Sequence, residues 1–246
     1  MRAPRLGCVP YLNARPLIHG LEAALEVPSA LSRRFLAGDF DAALIPVYET
    51  LRLPNPRIAD GFGIVSAGEV RSVIVAHRHP LGQTPEIILD PSSRTSVHLL
   101  KVLLADQLKI FPRLVGKSDD PQAARLIIGD PALQFQESMD PAWRIFDLGS
   151  SWTAWTGLPF VYAVWALADD APAGTADLLR QAAHDGLAAR PLIAAREPNP
   201  SAALDYLTRS IQFPIGPDER AGIEEFRRRL VSRRLLPAGA GVPLYV

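Results

Sequence analysis

Short apolar runs alternate with segments of helical spacing along most of this chain. The runs LGCVPYL, FDAALIPV and GIVSAG are typical of buried strands, whereas PLIHGLEAAL and SALSRRFLAG have the three-to-four-residue spacing of helices. Pro16 stands at the favoured first position of one predicted helix, and Gly38 follows the last turn of the next. This alternation predicts an α/β protein built from β–α–β units.

Two longer apolar segments, VRSVIVAHR and LPFVYAVWAL, interrupt this alternation of predicted strands and helices. Both are rich in Val, Ile and aromatic residues, which suits strands that are buried on both faces. We expect these strands to cross between two lobes, with the helical stretch after Gly174 returning to the first lobe. The predicted lobes are residues 1–75 with 166–246, and residues 76–165. A cleft between them would be a favourable place for a ligand.

Composition narrows the possible functions. The 26 basic residues balance the 26 acidic ones, so the chain lacks the positive field expected of a nucleic-acid-binding protein. A single cysteine, Cys8, excludes a disulfide framework or a CxxC pair within one chain. His77 and His79 supply two metal ligands at most, and no glycine-rich phosphate loop is present. We therefore predict neither a metal nor a cofactor.

The apolar runs also give an expectation about location. The N-terminal MRAPRLGCVPYL has too short an apolar core for a secretory signal. FVYAVWALA stops after nine residues, well short of the ~18 that a membrane-spanning helix needs. We expect a cytoplasmic protein with no membrane or nucleic-acid partner.

Polar side chains follow the ends of two predicted strands. Asn13 ends an apolar run, and its amide can donate and accept hydrogen bonds at once, so it could hold a hydroxyl or a carboxylate without adding charge. Asp130 follows the run LIIG and could accept a hydrogen bond from a ligand hydroxyl. Both residue types are also common at turns and helix caps, and that alternative stays open for each.

The segment DPSSRTS, residues 90–96, lies between a predicted strand and a predicted helix. A helix start presents free backbone N–H groups and the positive end of the helix dipole, which together with hydroxyls make a site for a carboxylate. Serine and threonine also cap helices, but one hydroxyl is enough for a cap. The segment carries four hydroxyls, on Ser92, Ser93, Thr95 and Ser96.

Several segments together resemble one family, the chorismate dehydratases of the futalosine route to menaquinone. The matching segments run in order from Gly7 to Trp165: GCVPYLNARPLIHGL, LAGDFDAALIPVYE, RSVIVAHR, LDPSSRTSVHLLKVLL, LIIGDPAL and DLGSSWTAWTGLPFVYAVW. The most specific of them are YLNARPL, DPSSRTS and TGLPF. The resemblance implies the type II periplasmic-binding-protein fold, with two α/β lobes around an interdomain cleft.

The resemblance also implies an activity. These enzymes are carbon–oxygen lyases of the hydro-lyase type, which remove water from chorismate to give 3-[(1-carboxyvinyl)oxy]benzoate without a cofactor or metal. The substrate is a small dianion, and its own enolpyruvyl carboxylate is a candidate base because no strong base stands near the matching motifs. The matching positions assign a catalytic role to Asn13. They assign substrate binding to Ser72, Ser93, Thr95, Ser96 and Asp130, with Ser66 as an alternative to Ser72.

Three alternatives remain open at this point. One is the sister enzyme that cleaves dehypoxanthine futalosine, although its N-terminal signature differs from YLNARPL. A second is a non-catalytic module that binds or senses a small anion and releases it unchanged. The third is prephenate or arogenate dehydratase, whose catalytic domain shares the general fold but whose typical TRD-type loop is not apparent here.

Overall fold

The computed structural model describes residues 2–246 and arranges their strands in two sheets. The strands are β1 (Leu6–Cys8), β2 (Ala24–Leu25), β3 (Ala42–Pro46), β4 (Arg57–Ser66), β5 (Val73–His77), β6 (Glu86–Ile88), β7 (Arg113–Val115), β8 (Ala124–Ile128), β9 (Arg144–Asp147), β10 (Phe160–Leu167), β11 (Gln212–Pro214) and β12 (Leu244–Tyr245).

Helices connect most of these strands. The α-helices are α1 (Pro28–Leu36), α2 (Val47–Thr50), α3 (Thr95–Val102), α4 (Asp130–Ser138), α5 (Leu148–Thr156), α6 (Thr175–Ala188), α7 (Arg190–Ala194), α8 (Pro200–Asp205) and α9 (Pro217–Ser232). Two 3-10 helices, Leu12–Ile18 and Leu81–Gln83, and two π-helical turns, Leu103–Leu108 and Tyr206–Ser210, complete the pattern. The alternation confirms the α/β class.

Both sheets are mixed. The first has the order β11–β4–β10–β3–β1–β2, with β12 also beside β4, and the second has the order β7–β6–β8–β5–β9. In the first sheet β1 is parallel to β2 and β3, and β10 is antiparallel to both β3 and β4. In the second, β6 is parallel to its neighbours and β5 is antiparallel to its own.

The chain passes between the sheets through two short connections. It leaves the first sheet after β4 and enters the second at β5, and it returns between β9 and β10. Within residues 2–246 the two strands that we expected to cross do not, because β5 pairs with strands of the second sheet and β10 with strands of the first. The boundaries predicted at 75 and 165 fall inside these strands. A division within residues 67–72 and 148–159 keeps both hydrogen-bonded ladders intact, and we propose it for the lobes.

The strands predicted from apolar runs form the core. All five residues of β5 are buried, as are seven of the eight in β10, which agrees with strands covered on both faces. Trp152 and Trp165 are almost completely buried, and Trp152 meets Phe160 and Phe226 in edge-to-face contacts with ring centroids 5.2 and 6.1 Å away. These tryptophans therefore stabilise the fold by packing.

The helix predicted from Pro16 to Leu25 is wrong. A 3-10 helix begins earlier, at Leu12, and ends at Ile18, after which Gly20 adopts a left-handed conformation with φ of 73°. Ala24 and Leu25 then form the edge strand β2 beside β1. Pairing with β1 outweighs the local helical spacing here. As a strand, this segment satisfies backbone hydrogen-bonding groups along the edge of β1 that would have no strand partner if the segment were helical.

Candidate functional site

A cavity opens between the two sheets where the chain crosses from one to the other. It has about 580 Å³ of empty space, the open solvent at its mouth included. Aliphatic side chains from both sheets form much of its wall, among them Leu44 and Ile64 from the first sheet and Val73 and Ile128 from the second. The polar groups described below are set into this apolar wall.

Asn13 lines the cavity from the 3-10 helix that follows β1. Its side chain is buried, and its Nδ2 donates to the Tyr206 hydroxyl across 3.0 Å. Tyr11, the residue that precedes this 3-10 helix, makes no side-chain capping bond to it. Asn13 itself lies inside this 3-10 helix and not at its cap position, and its amide belongs to a buried network at the cavity wall.

The start of α3 forms another part of the cavity wall. Its geometry shows whether the hydroxyls of DPSSRTS cap the helix or face the space where a ligand would bind. No side chain of the described residues caps this helix. Ser93, Thr95 and Ser96 are buried and line the cavity, while Ser92 is not part of its wall and donates to Asp90 across 2.6 Å. Hydroxyls and free N–H groups at the positive end of a helix dipole thus converge on one space.

Thr95 makes a hydrogen bond to α2, which follows β3 of the first sheet. Its Oγ1 accepts a hydrogen bond from the backbone N–H of Tyr48, at 3.2 Å, so its own proton is free for another acceptor. Ser93 and Ser96 have no side-chain partner among residues 2–246. Three hydroxyl protons are therefore available to a bound anion.

Ser72 lies at the end of the first connection between the sheets and lines the cavity. Asp147, which caps α5, holds this connection by accepting backbone N–H groups from Val70 and Arg71, the latter at 2.7 Å. Arg71 has a φ of 62°, unusual for a residue other than glycine. The partly buried carboxylate of Asp147 thus fixes a strained turn directly before Ser72, and desolvation raises the pKa of Asp147.

Ser66, the alternative to Ser72, has a different environment. It is fully buried on β4, and its Oγ lies 3.1 Å from the hydroxyl of Tyr162, which itself lines the cavity from β10. Of the two serines, only Ser72 is part of the cavity wall. Ser66 therefore contacts the cavity wall indirectly, through its hydrogen bond to the Tyr162 hydroxyl.

Asp130, which we expected to bind substrate, does not line this cavity in the described structure. It begins α4, and its carboxylate accepts the backbone N–H of Leu12 at 3.0 Å. It faces a neighbouring opening that Arg71, Glu197 and Tyr206 also line. Burial raises the pKa of Asp130, and the Leu12 hydrogen bond partly offsets that effect. Its contact with Leu12 joins the second sheet's α4 to the segment that carries Asn13.

Sequence reasoning missed several residues of the site. Tyr11 and Tyr162 line the cavity, and burial raises the pKa of both phenols, so both are protonated near neutral pH. Arg94 is the only charged residue in the described cavity wall. It lies 3.5 Å from the buried carboxylate of Glu49, which Arg52 also contacts at 2.9 Å. Two arginines around one glutamate leave a positive charge beside the cavity.

The described part of the chain offers neither a metal site nor a membrane-spanning helix. No group of three or more His, Cys, Asp or Glu side chains within residues 2–246 is arranged to hold a metal ion. His77 of the HRH segment places Nδ1 2.8 Å from the backbone oxygen of His79. None of the helices in this range is long and apolar enough to cross a membrane.

Comparison with known proteins identifies the family. The model of a family described as menaquinone biosynthesis matches residues 4–232. The chain belongs to this family. A chorismate dehydratase from Thermus thermophilus is 29% identical to it over 214 residues, which cover 76% of this chain and 79% of the relative. A chorismate dehydratase from Campylobacter jejuni is 33% identical over 157 residues, covering 62% of this chain and 58% of the relative.

Solved structures support the fold of this menaquinone-biosynthesis family member. The periplasmic aliphatic sulphonate binding protein SsuA from Escherichia coli superposes with a TM-score of 0.58 at 12% identity, covering 98% of this chain and 92% of SsuA. At this identity the likeness concerns architecture alone. The two-lobed periplasmic-binding-protein-like fold expected from the sequence is confirmed.

Proposed function

We propose that this protein is a chorismate dehydratase, a hydro-lyase that converts chorismate to 3-[(1-carboxyvinyl)oxy]benzoate in the cytoplasm. One observation carries the proposal: a chain of the menaquinone-biosynthesis family gathers an amide, four hydroxyl groups and a helix N-terminus in one cavity between its lobes. Those side chains are Asn13, Ser72, Ser93, Thr95 and Ser96.

The cavity is suited to a small dianion with an apolar ring. The free N–H groups at the start of α3 and the hydroxyls around them bind a carboxylate without placing a buried cation against it. Arg94 adds a positive charge at the same end. The aliphatic side chains, Leu44, Ile64 and Ile128 among them, contact the carbocycle. Chorismate has two carboxylates and one carbocyclic ring, which match these parts of the cavity, and it has a single hydroxyl.

The reaction is an elimination across two neighbouring ring carbons. The carbon that bears the enolpyruvyl ether loses its proton, and the electron pair spreads through the adjacent double bond toward the ring carboxylate. That pair then forms the new ring double bond as the C–O bond to the neighbouring hydroxyl breaks. The departing hydroxide takes up the abstracted proton and leaves as water, and the ring becomes aromatic. Hydrogen bonds to the ring carboxylate stabilise the charge that develops there.

The substrate's enolpyruvyl carboxylate is the base that we propose. The described cavity wall contains no Asp, Glu, His, Lys or Cys side chain. Tyr11 and Tyr162 keep their own protons at neutral pH because burial raises their pKa values, so neither phenol is available as the base. The role left to the protein is to hold the dianion in a reactive conformation and to exclude water.

The test is to incubate the purified protein with chorismate and to analyse the products by mass spectrometry and proton NMR. We expect a product that is lighter by one water, with aromatic ring signals. Chorismate that binds saturably and is recovered intact would indicate a binding or sensing protein. Cleavage of dehypoxanthine futalosine, or conversion of prephenate or arogenate, by the same preparation would indicate one of the other enzymes.

A further inference from the structure

The C-terminal part of the chain contributes a buried tyrosine to the network behind the cavity. Tyr206 begins the π-helical turn after α8, and its side chain is almost completely buried. Its hydroxyl lies 3.0 Å from Asn13 Nδ2 and 2.7 Å from Ser72 Oγ. Asn13 and Ser72 are themselves more than nine-tenths buried and line the cavity, whereas Tyr206 does not. Tyr206 can therefore influence a ligand only through these two residues.

The three groups form a chain of hydrogen bonds with one direction. An amide nitrogen only donates, so the Tyr206 oxygen accepts from Asn13, and the single phenol proton goes to Ser72 Oγ. Burial raises the pKa of Tyr206, which keeps that proton on the phenol. Ser72 accepts this bond, so its own proton is free for a group in the cavity. Asn13 Oδ1 has no protein partner among residues 2–246 and is likewise free.

We propose that Tyr206 is a positioning residue that fixes what Asn13 and Ser72 present to the ligand. Asn13 presents a carbonyl acceptor, and Ser72 presents a hydroxyl donor. The site therefore selects a ligand with a hydroxyl opposite Asn13 and an acceptor, such as a carboxylate or ether oxygen, opposite Ser72. This inference rests on the proposed function in one respect: with both carboxylates ionised, the ring hydroxyl is the only O–H donor of chorismate. Asn13 Oδ1 then holds the leaving hydroxyl.

The kinetic test uses Tyr206→Phe, which keeps the ring and removes the hydroxyl. We expect kcat/KM for chorismate to fall at least tenfold, mainly through kcat, because the amide is no longer held in one orientation. The inhibition constant of a dianionic analogue that lacks the ring hydroxyl should change less than threefold. Equal losses for chorismate and the analogue would overturn the proposal, since they would indicate general damage to the cavity.

Tyr48→Phe is the matched control. Tyr48 is also buried and is not part of the cavity wall, and its hydroxyl donates to the backbone oxygen of Leu235 at 3.1 Å. Its bond to Thr95 comes from the backbone N–H, which the variant keeps. We expect kcat/KM within threefold of the wild type. A loss as large as that of Tyr206→Phe would show that any buried tyrosine hydroxyl matters equally, which contradicts a specific role for Tyr206.

A measurement without substrate separates this inference from the proposed function. In a ¹⁵N–¹H spectrum of the wild type, the side-chain amide of Asn13, assigned from its loss in Asn13→Ala, should show one proton that exchanges slowly with water. Fast exchange of both protons would contradict the proposed direction of the hydrogen bonds from Asn13 through Tyr206 to Ser72. This result is obtained on the wild type, so it does not depend on whether the Tyr206→Phe variant folds. A wild type that leaves chorismate unchanged would refute the proposed function, while the amide spectrum would still decide the orientation of Asn13.

Discussion

Ser96 is buried at the start of α3, and its hydroxyl has no protein partner in the described residues. We predict that Ser96→Ala raises the KM for chorismate about tenfold or more, because a hydrogen bond to a charged group is worth ~1.5–3 kcal/mol. The melting temperature should stay within about 2 °C of the wild type, since no helix cap is lost. Steady-state kinetics and thermal unfolding of the same preparation check both expectations.

Ser92→Ala is the control for this prediction. Ser92 lies in the same segment, but its hydroxyl donates to Asp90 and the residue is not part of the cavity wall. We expect KM within twofold of the wild type. If Ser92→Ala raised KM as much as Ser96→Ala, the hydroxyls would act through the shape of the loop and not as ligands.

Sequence reasoning identified those site residues whose function is visible in local chemistry. Asn13 and the hydroxyls of DPSSRTS stand at the ends of strands, where a polar side chain needs an explanation, and the structure places them around one cavity. Tyr206 gave no such signal, because a tyrosine in an amphipathic helical stretch is usually a core residue. Its partners lie 193 and 134 residues away in sequence. Asp130 had the same local pattern as Asn13 but faces another opening.

At the scale of elements, α6 packs unusually close to the 3-10 helix that carries Asn13. A Cβ atom added at Gly186 would lie 1.9 Å from the carbonyl oxygen of Pro16, which is backbone and cannot rotate away. We predict that Gly186→Ala lowers the free energy of unfolding by at least about 2 kcal/mol through overpacking. It should also lower turnover, because the displaced backbone holds Asn13. Urea unfolding and kinetics measure the two effects.

Gly116→Ala supplies the comparison. No atom lies within 4 Å of a Cβ added at Gly116, so the alanine needs no rearrangement. We expect an unfolding free energy equal to the wild type or slightly higher, since alanine restricts the unfolded chain. If Gly186→Ala were equally neutral, the close contact between α6 and the 3-10 helix would not be part of the folded protein.

The close contact of these two elements also shows where prediction from the sequence reaches its limit. The strands β3, β5 and β10 followed from their apolar runs, because burial on both faces leaves a plain pattern. The helix expected over residues 16–25 did not form, since β2 pairs with β1 and Gly186 lets α6 approach Pro16. Both contacts join segments that local spacing cannot relate.

At the scale of the whole molecule, one buried carboxylate makes the folding stability depend on pH in the acidic range. Asp41 is fully buried and accepts hydrogen bonds from Arg2 and Arg5, and these bonds hold the pKa of Asp41 well below its usual range. A folded-state pKa below the unfolded one stabilises the protein above about pH 4. That stability is lost as the pH falls further, toward the folded-state pKa.

We predict that Asp41→Asn is less stable than the wild type at pH 7 and that the difference shrinks toward pH 3. The difference at pH 7 should be about 1–2 kcal/mol, a modest figure because both arginines are half-exposed and screened by solvent. Asp130 and Asp147 have raised pKa values and act in the opposite direction, but they are common to both proteins. Denaturant unfolding at several pH values measures the difference. A gap that stays constant down to pH 3 would contradict the assigned shift.

Asn13→Asp tests the central claim most directly, because it changes a single side-chain nitrogen to oxygen inside the cavity. In the proposed site it removes the donor to Tyr206 and places a negative charge beside a dianion, where like charges repel strongly. We predict that chorismate turnover at neutral pH, followed by product mass, falls at least about tenfold, equivalent to 1.4 kcal/mol in the barrier. Circular dichroism should show a folded protein. Near-native turnover and KM in this variant would contradict the assignment of Asn13 to the active site.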